Sequence, residues 1–552
     1  MAQDVSALLK RYQQLKSQRA PWETEWRDLA TYIMPRKGSA IGRRPVPGEK
    51  QTQRLYDSTA IHANGLLGAS LQGNLTSPAL RWFRLKMRDD ALNRDATVAT
   101  WLEECGNRVY AALQQSNWNA ETFEVYLDLG AFGTAACYIG EREDGPVPTT
   151  GFRGLLFRAL PIGTYVLSED AEGKVDTLIA AFQLPADAVV RRWGAAAAGE
   201  RLVGLAAAKP HELVDLLHAV VPRPGGRVGA PATAMPWASC YVVERDKRVL
   251  GERGYDLFPF AVPRWTKASG ESYGRGPGHT ALPDIRTLNK MTELELRAIA
   301  KAIDPPMQAA DHGVIGTIRL TPGGVTTVRE PGKSLIPLES GAKFQVGQIK
   351  AEQLKAAIRD MFFNGQLQLP TQQPMTATEI ERRYEIMNRT LGPTVGRLEY
   401  EHTNVVVLRA FAILGRRGAL PEAPGLVAEA ARAGDHLEVV SEGPLSRAQK
   451  GSDVLAIERS IQLILPMSQV DPDVLDVVDL DEAAKVILEA SNVPVRVHRS
   501  AEAVATRRQA RAQAQQQEQQ AQTLERMAAG AKNVAPLLQA VKPAATPAQA
   551  AA

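Results

Sequence analysis

Four cations and a run of amides are the residues whose types and spacing could meet a charged ligand. Arg286, Lys290, Arg297 and Lys301 lie on one helix-strength stretch. At 100° per residue they fall within about 60° of one another. They form a basic stripe, interrupted by Glu293, which can pair with Arg297 at i,i+4. Such a stripe suits loose contact with a polyanion, and its plain alternative is a solvated helix face. Farther on, Gly365 to Thr376 reads GQLQLPTQQPMT. It is uncharged and twice broken by proline. Gln366, Gln368, Thr371, Gln372 and Gln373 offer amide and hydroxyl contacts without a fixed charge.

Sharper chemistry is missing from the motifs. Gly274-Arg275-Gly276-Pro277-Gly278 has the glycines of a phosphate loop, but no suitable strand precedes it and no Lys-Ser/Thr follows. It reads as a sharp turn into a helix, with Pro283 near the first turn. His211-Glu212 begins like a metalloprotease box, yet Asp215 stands where the second His belongs. His218, on a strand-like run, reads as a structural histidine. Gly68-Ala69-Ser70-Leu71-Gln72 lacks the last glycine of a nucleophile elbow. No metal, cofactor or triad constellation emerges, and the expectation is that the protein is not an enzyme.

The elements that must position these residues form a helical hairpin. Ala281 to Asp304 is apolar at Ile285, Leu288, Leu296, Ile299 and Ile303, a 3.6-residue pattern spanning roughly 36 Å. Asp304-Pro305-Pro306 ends it. The segment 305–347 contains strand-like GVIGTIRL and GVTTVRE joined by a tight turn, and Gln348 to Asn364 returns as a second helix. Either this is a hairpin with solvated charges, or many copies stand side by side in a ring with polar faces turned to a central channel.

The 552 residues are enough for several domains. Lys+Arg number 65 against Asp+Glu 61, a net charge of +4. That balance argues against a protein that coats nucleic acid, though not against one that lets it slide past. Three scattered cysteines, Cys105, Cys137 and Cys240, give neither a disulfide framework nor a zinc site. No window of 18 apolar residues is present, so no membrane span is expected.

In chain order, Asp4 to Arg19 reads as a helix that Pro21 stops or restarts, with Trp22, Trp26, Leu29 and Ile33 continuing the pattern. Residues 36–54 form a basic loop. A helix rich in glycine (Gly65, Gly68, Gly73) follows, suggesting close packing, then the strand RWFRLKM and helices over Val98–Trp118 and Glu121–Phe132. After the turn at Gly133-Thr134 comes the strand candidate AACYIGERE, and residues 151–265 carry six more, from GLLFRAL to RVLGERG, around the short helix PADAVVRRWG. This is a mixed, mostly antiparallel α+β region. Thr376 and Glu379 fit a capping box opening a long helix to about Gly415, kinked at Gly392-Pro393. Shorter helices fill 420–500, and the tail is Ala/Gln-rich.

Several stretches in order resemble the head-to-tail connector (portal) proteins of short-tailed, podovirus-type phages. They are WETEWRDLATYIMPR, LTSPALRWFRL, LDLGAFGTAACYIGE, SYGRGPG (272–278) with ALPDIRTLNKM, and MTATEIERRYEIMNRTLGPTVGRLEYE (375–401). The resemblance covers about residues 8 to 500. From 420 onward it rests on composition and helix pattern. It implies an α+β multidomain portal fold: a wing over 1–280, a first stem helix over 281–304, a β-containing clip over 305–347 and a second stem helix over 348–364. A tunnel loop over 365–376, a long kinked helix over 377–419, a helical crown over 420–500 and a tail over 501–552, part barrel helix and part disordered, complete it. Arg319, Arg329 and Lys333 become the clip candidates, the stem cations and tunnel-loop amides the channel candidates. The implied partners are about eleven further copies in a closed ring, double-stranded DNA, major capsid and scaffolding proteins, a terminase motor and a tail adaptor. The expected location is the virion, with the host cytoplasm during assembly, and no membrane is involved. The competing classes are a metal-dependent nuclease and a scaffold or adaptor without a channel.

Overall fold

The computed structural model describes residues 5–41, 52–142, 151–303, 305, 307–309, 317–318, 326–330, 335–337, 344–367, 391–443, 456–466, 478–490 and 501–539. The chain opens with one helix, Val5–Tyr32, that runs straight through Pro21. The break expected at Pro21 does not occur, because the helix is anchored on both sides of it. Leu8, Leu9 and Tyr12 pack on a sheet with Ile179, Leu217 and Val242. Trp26, Leu29 and Ile33 enter the main core. Each large side chain so buried contributes about 1.5–3 kcal/mol, enough to outweigh the backbone hydrogen bond that a proline removes. Arg19, buried between the two anchors, holds Glu23 (2.8 Å) and the carbonyl of Tyr165.

That sheet has five antiparallel strands in chain order: Tyr165–Glu169, Val175–Pro185, Leu213–Pro222, Trp237–Val243 and Arg248–Tyr255. Period-2 alternation divides its faces. On Leu213–Pro222, Leu217 and Ala219 meet the N-terminal helix. Val214 and Leu216 meet the helices Ala186–Trp193 and Glu200–Ala208 on the other side. The second of these helices was not read from the sequence. A three-stranded sheet pairs Ala136–Glu141 with Leu155–Leu160 and Phe260–Ala261.

The helices Thr59–Leu75, Ala96–Gln114 and Trp118–Phe132 enclose the main core. Of the three glycines expected to permit close packing in the first, only Gly68 does so; an added Cβ there would meet the Leu127 side chain at 3.0 Å, whereas Gly65 and Gly73 face open space. The strand Phe83–Met87 pairs with Leu437–Ser441. The latter lies in a region expected to be helical, and Val427 of the helix Gly425–Arg432 also joins the main core.

The outgoing hairpin helix is Pro277–Ile303 and the returning one Phe344–Met361. The first starts four residues before the expected Ala281. The second starts before the expected Gln348 and ends short of Asn364, where Phe363 takes φ +59° and a separate turn, Asn364–Leu367, follows. In the intervening segment the described pairing is Met307–Ala309 with Leu335–Pro337. Of the two strand-like runs foreseen there, GVIGTIRL lies mostly outside the described residues, and GVTTVRE, described over 326–330, holds a bridge residue at Val328 but no strand in that stretch. From 391 the long helix is regular through 398; the residues that lead into the expected kink at Gly392-Pro393 lie outside the described set. Its described irregularity is a π-helical turn at Glu399–Thr403, before Asn404–Arg416. A helix Ala501–Gln539 follows; residues beyond it lie outside the described set.

Candidate functional site

The hairpin is fixed at its base by the segment Ser272–Gly278. Tyr273 sits against Trp26 (ring centroids 5.1 Å) and Trp22 (5.8 Å), and the Arg275 guanidinium lies 4.5 Å over the Trp22 ring. Gly133, at φ +68°, caps the helix Trp118–Phe132. A Cβ on Gly133 would lie 2.3 Å from the Gly276 nitrogen, and one on Gly276 2.4 Å from the Leu129 carbonyl oxygen. These glycines let two backbones touch. The loop is no phosphate cradle, because its N–H groups are occupied. Gly274 N donates to Thr134 Oγ1 (2.7 Å), Arg275 N to the Thr266 carbonyl (2.8 Å) and Gly276 N to His279 Nδ1 (3.2 Å). Pro277 then begins the helix, where a missing N–H costs nothing.

Asn289 clamps the helix farther along. It is buried, accepts from Tyr56 N (2.7 Å) and donates to the Arg54 carbonyl (2.9 Å). A lone Asn in an amphipathic pattern carries no signal that marks such a role. Beyond Asn289 the burial changes. Ile285 and Leu288 are buried, whereas Leu296, Ile299 and Ile303 are 51%, 44% and 79% exposed. All five share one stripe, so an apolar face that is covered at the base is uncovered toward the tip. Ile349 on the returning helix is likewise exposed.

Helical geometry at 100° per residue gives the outgoing helix three faces, roughly a third of a turn apart. One, with Met291, Glu295 and Ala298, is partly buried, and Glu295 reaches the returning helix at Gly347. The second is the apolar stripe. The third holds Arg286, Lys290, Arg297 and Lys301, all exposed. Arg286 pairs with Asp28 of the N-terminal helix. Lys290 (3.0 Å) and Arg297 share Glu293, whose carboxyl they hold below its usual pKa, chiefly through the Lys290 hydrogen bond. Lys301 has no partner among the described residues. The structure thus brings the four cations of the outgoing helix together on one face.

The other candidates are less defined. Gln366 falls in the turn Asn364–Leu367, and Arg329 is exposed beside the bridge residue Val328. Gln368, Thr371, Gln372, Gln373, Arg319 and Lys333 lie outside the described residues. His218 is structural, as read: buried, stacked 4.2 Å from Tyr241, bonded to Ser239 Oγ (3.0 Å), and pushed down to about 3 by burial. Among the described residues no group of three or more His, Cys, Asp or Glu is arranged to hold a metal. No described helix is long and apolar enough to cross a membrane.

A buried ion network joins the long helix to the sheet. Arg264, 3% exposed, holds Glu401 on the π-helical turn (2.6 Å) and Glu169 on the first strand of the five-stranded sheet, where Lys267 also binds (2.7 Å). Glu169, Arg264 and Glu401 are distant in sequence and nothing local announces their meeting.

The fold and the hairpin define a mixed helix-and-sheet protein that carries a helical arm with an uncovered apolar face. Residues 5–498 match the family described as bacteriophage head to tail connecting protein, and the chain belongs to that family. It is 28% identical to the portal protein of Salmonella phage epsilon15 over 502 residues, 88% of this chain and 87% of that protein. It is 28% identical to the probable portal protein of Bordetella phage BPP-1 over 492 residues, 86% and 85% of the two. The portal protein of Escherichia phage T7 is 23% identical over 488 residues, 84% and 83%. A chain from the virion of a native gene transfer agent particle overlays at TM-score 0.34 and 12% identity, covering 78% of this chain and 92% of its own; at that score it carries no argument.

Proposed function

We propose that the chain is the portal of a phage capsid. In this reading it is a structural component, one subunit of a ring at a capsid vertex. DNA passes through the ring during packaging and leaves through it during ejection. The observation that carries the reading is the three-faced outgoing helix. One face lies toward the returning helix, a second is apolar and bare toward its tip, and a third is basic. A neighbouring copy covering the apolar stripe turns the basic stripe toward the axis of a closed, heterologous ring. Three of the four stem cations are paired with Asp28 and Glu293, which together cancel two of the three charges. That tempers phosphate binding and so the drag that counterion release imposes on moving DNA.

In this assignment Pro277–Ile303 and Phe344–Met361 are the stem, and the segment between them is the clip that meets the packaging motor and then the tail adaptor. The tunnel loop begins after the returning helix, residues 1–276 with 391–416 make the wing, and the crown and tail follow. The capsid and scaffolding proteins would meet the ring's outside. Light scattering behind size exclusion, with negative-stain images of the same peak, tests the assembly. From a 59.9 kDa chain, twelve copies weigh roughly 720 kDa. A ring near that mass with a central hole is the expected result. A particle that stays small with scaffolding protein present overturns it. Crosslinking from packaged DNA tests the lining: label is expected on 365–376 and on Lys290, Arg297 and Lys301. Label on neither set refutes it.

A further inference from the structure

One cavity among the described residues has no part in the portal reading. It measures about 700 Å³ and lies between the five-stranded sheet and the long helix. One side is apolar, with Trp237, Phe258, Phe260, Val262, Val405 and Leu408. At its wall is Arg409, 3% exposed, whose Nε and Nη1 are buried without a hydrogen-bond partner. Its guanidinium lies 5.0 Å over the Tyr255 ring. Asp256, whose field favours its charge, is itself held by Arg416. A guanidinium buried without a counterion is costly. A cavity beside it leaves room for the missing anion.

The lining says which anion. Five basic residues (Lys174, Arg264, Lys267, Arg397, Arg409) face four acidic ones (Asp170, Glu172, Asp176, Glu401). Arg264 is satisfied by Glu401 and Glu169, and Lys267 by Glu169. With Glu169 counted, acids and bases number five each, so the lining has no net surplus; the charge left to meet is the one on buried Arg409, which suits a monoanion. A dianionic phosphate would meet the rim carboxylates. The aromatic and aliphatic wall calls for an apolar body next to the charge.

We propose that this cavity is a binding site for a carboxylate carried on an apolar or aromatic group, with the carboxylate seated on Arg409. The group comes either from a free small acid or from an acidic side chain of a second copy of the chain. The site does not depend on the portal reading.

Phenylacetate is the probe, with phenylacetamide and inorganic phosphate as its neutral and dianionic counterparts. Binding to the full-length protein is followed by calorimetry and by the rise in Tm that any ligand of the folded state produces. Phenylacetate is expected to bind while the two counterparts do not. Arg409→Met should abolish binding, and Arg397→Glu, which reverses a rim charge without entering the core, should weaken it about tenfold or more. If Arg409→Met fails to fold, Arg397→Glu still decides. Equal binding of phenylacetamide or phosphate overturns the proposal, as does unaltered binding by both variants or no binding to any form of the protein. The two sources separate by assembly state. If monomeric chain binds phenylacetate and the assembled form refuses it, a neighbouring copy fills the site. If both bind it, the occupant is a free acid.

Discussion

Replacing Ile299 and Ile303 by Asp tests whether the bare stripe of the outgoing helix is a subunit contact. Both side chains are exposed, at 44% and 79%, and neither belongs to the buried core, so the substitutions leave that core intact. Full burial of an isoleucine contributes about 1.5–3 kcal/mol. Scaled by those exposures, covering the pair contributes about 3 kcal/mol at each subunit contact, about a hundredfold in association constant. Burying two carboxylates there adds a desolvation cost of several kcal/mol. The double variant should therefore keep the circular dichroism and Tm of the single chain yet remain small in light scattering at concentrations where the parent assembles. A matched control, Lys290→Gln with Arg297→Gln, alters the basic face and should assemble normally. Assembly of the double variant at the parent's concentration would refute the stripe as a contact. So would a basic-face control that falls apart while the aspartate variant does not.

Three further outcomes are expected. Arg264→Met strands Glu401 and leaves Glu169 with Lys267 alone, and should destabilise the fold by about 3–5 kcal/mol in urea unfolding; a loss under about 1 kcal/mol would mean the network is not buried as described. Gly276→Ala drives a methyl into the Leu129 carbonyl and should cost about 1–3 kcal/mol, whereas Gly65→Ala, facing open space, should leave stability unchanged or raise it. His402 is fully buried, stacked 5.4 Å from Trp118, has neither ring nitrogen bonded, and is pushed down to about 3 by burial. Its folded pKa lies below the ordinary value near 6.5, so the stability it permits is full above pH about 6.5 and lost as pH falls toward 3. His402→Phe keeps the ring and should flatten that decline in denaturation series from pH 7 to 4; an unchanged slope would refute the assignment.

Much of the fold is written in local patterns. The strands from Ala136 to Tyr255 are short apolar runs, several of them continuously buried, bounded by turn residues, so they were legible. The hairpin was legible because its apolar residues repeat at helical spacing and prolines end its first arm. The strand Leu437–Ser441 was not, since five residues after an alanine-rich helix carry too little signal without their partner at Phe83–Met87. Pro21 misled because propensity is local, whereas the cores that hold Leu9 and Trp26 are assembled from distant segments. The site divides in the same way. Periodicity put four cations on one face, but it could not say that Asp28 holds Arg286 or that the apolar stripe is covered only as far as Leu288. Arg264, Asn289 and Arg409 were invisible for the same reason, because single polar residues announce nothing until the chain brings their neighbours to them.

The pairing of Phe83–Met87 with Leu437–Ser441 has a consequence for how the protein is made. The partner strand leaves the ribosome about 350 residues after the first, a delay of about 20 to 70 s at 5–20 residues per second. Throughout that interval the nascent chain presents an unpaired strand edge, open to the wrong partner. A growing polysome holds many such edges close together. Newly made chains therefore reach assembly competence only after Leu437–Ser441 has emerged and closed the body from which the arm extends.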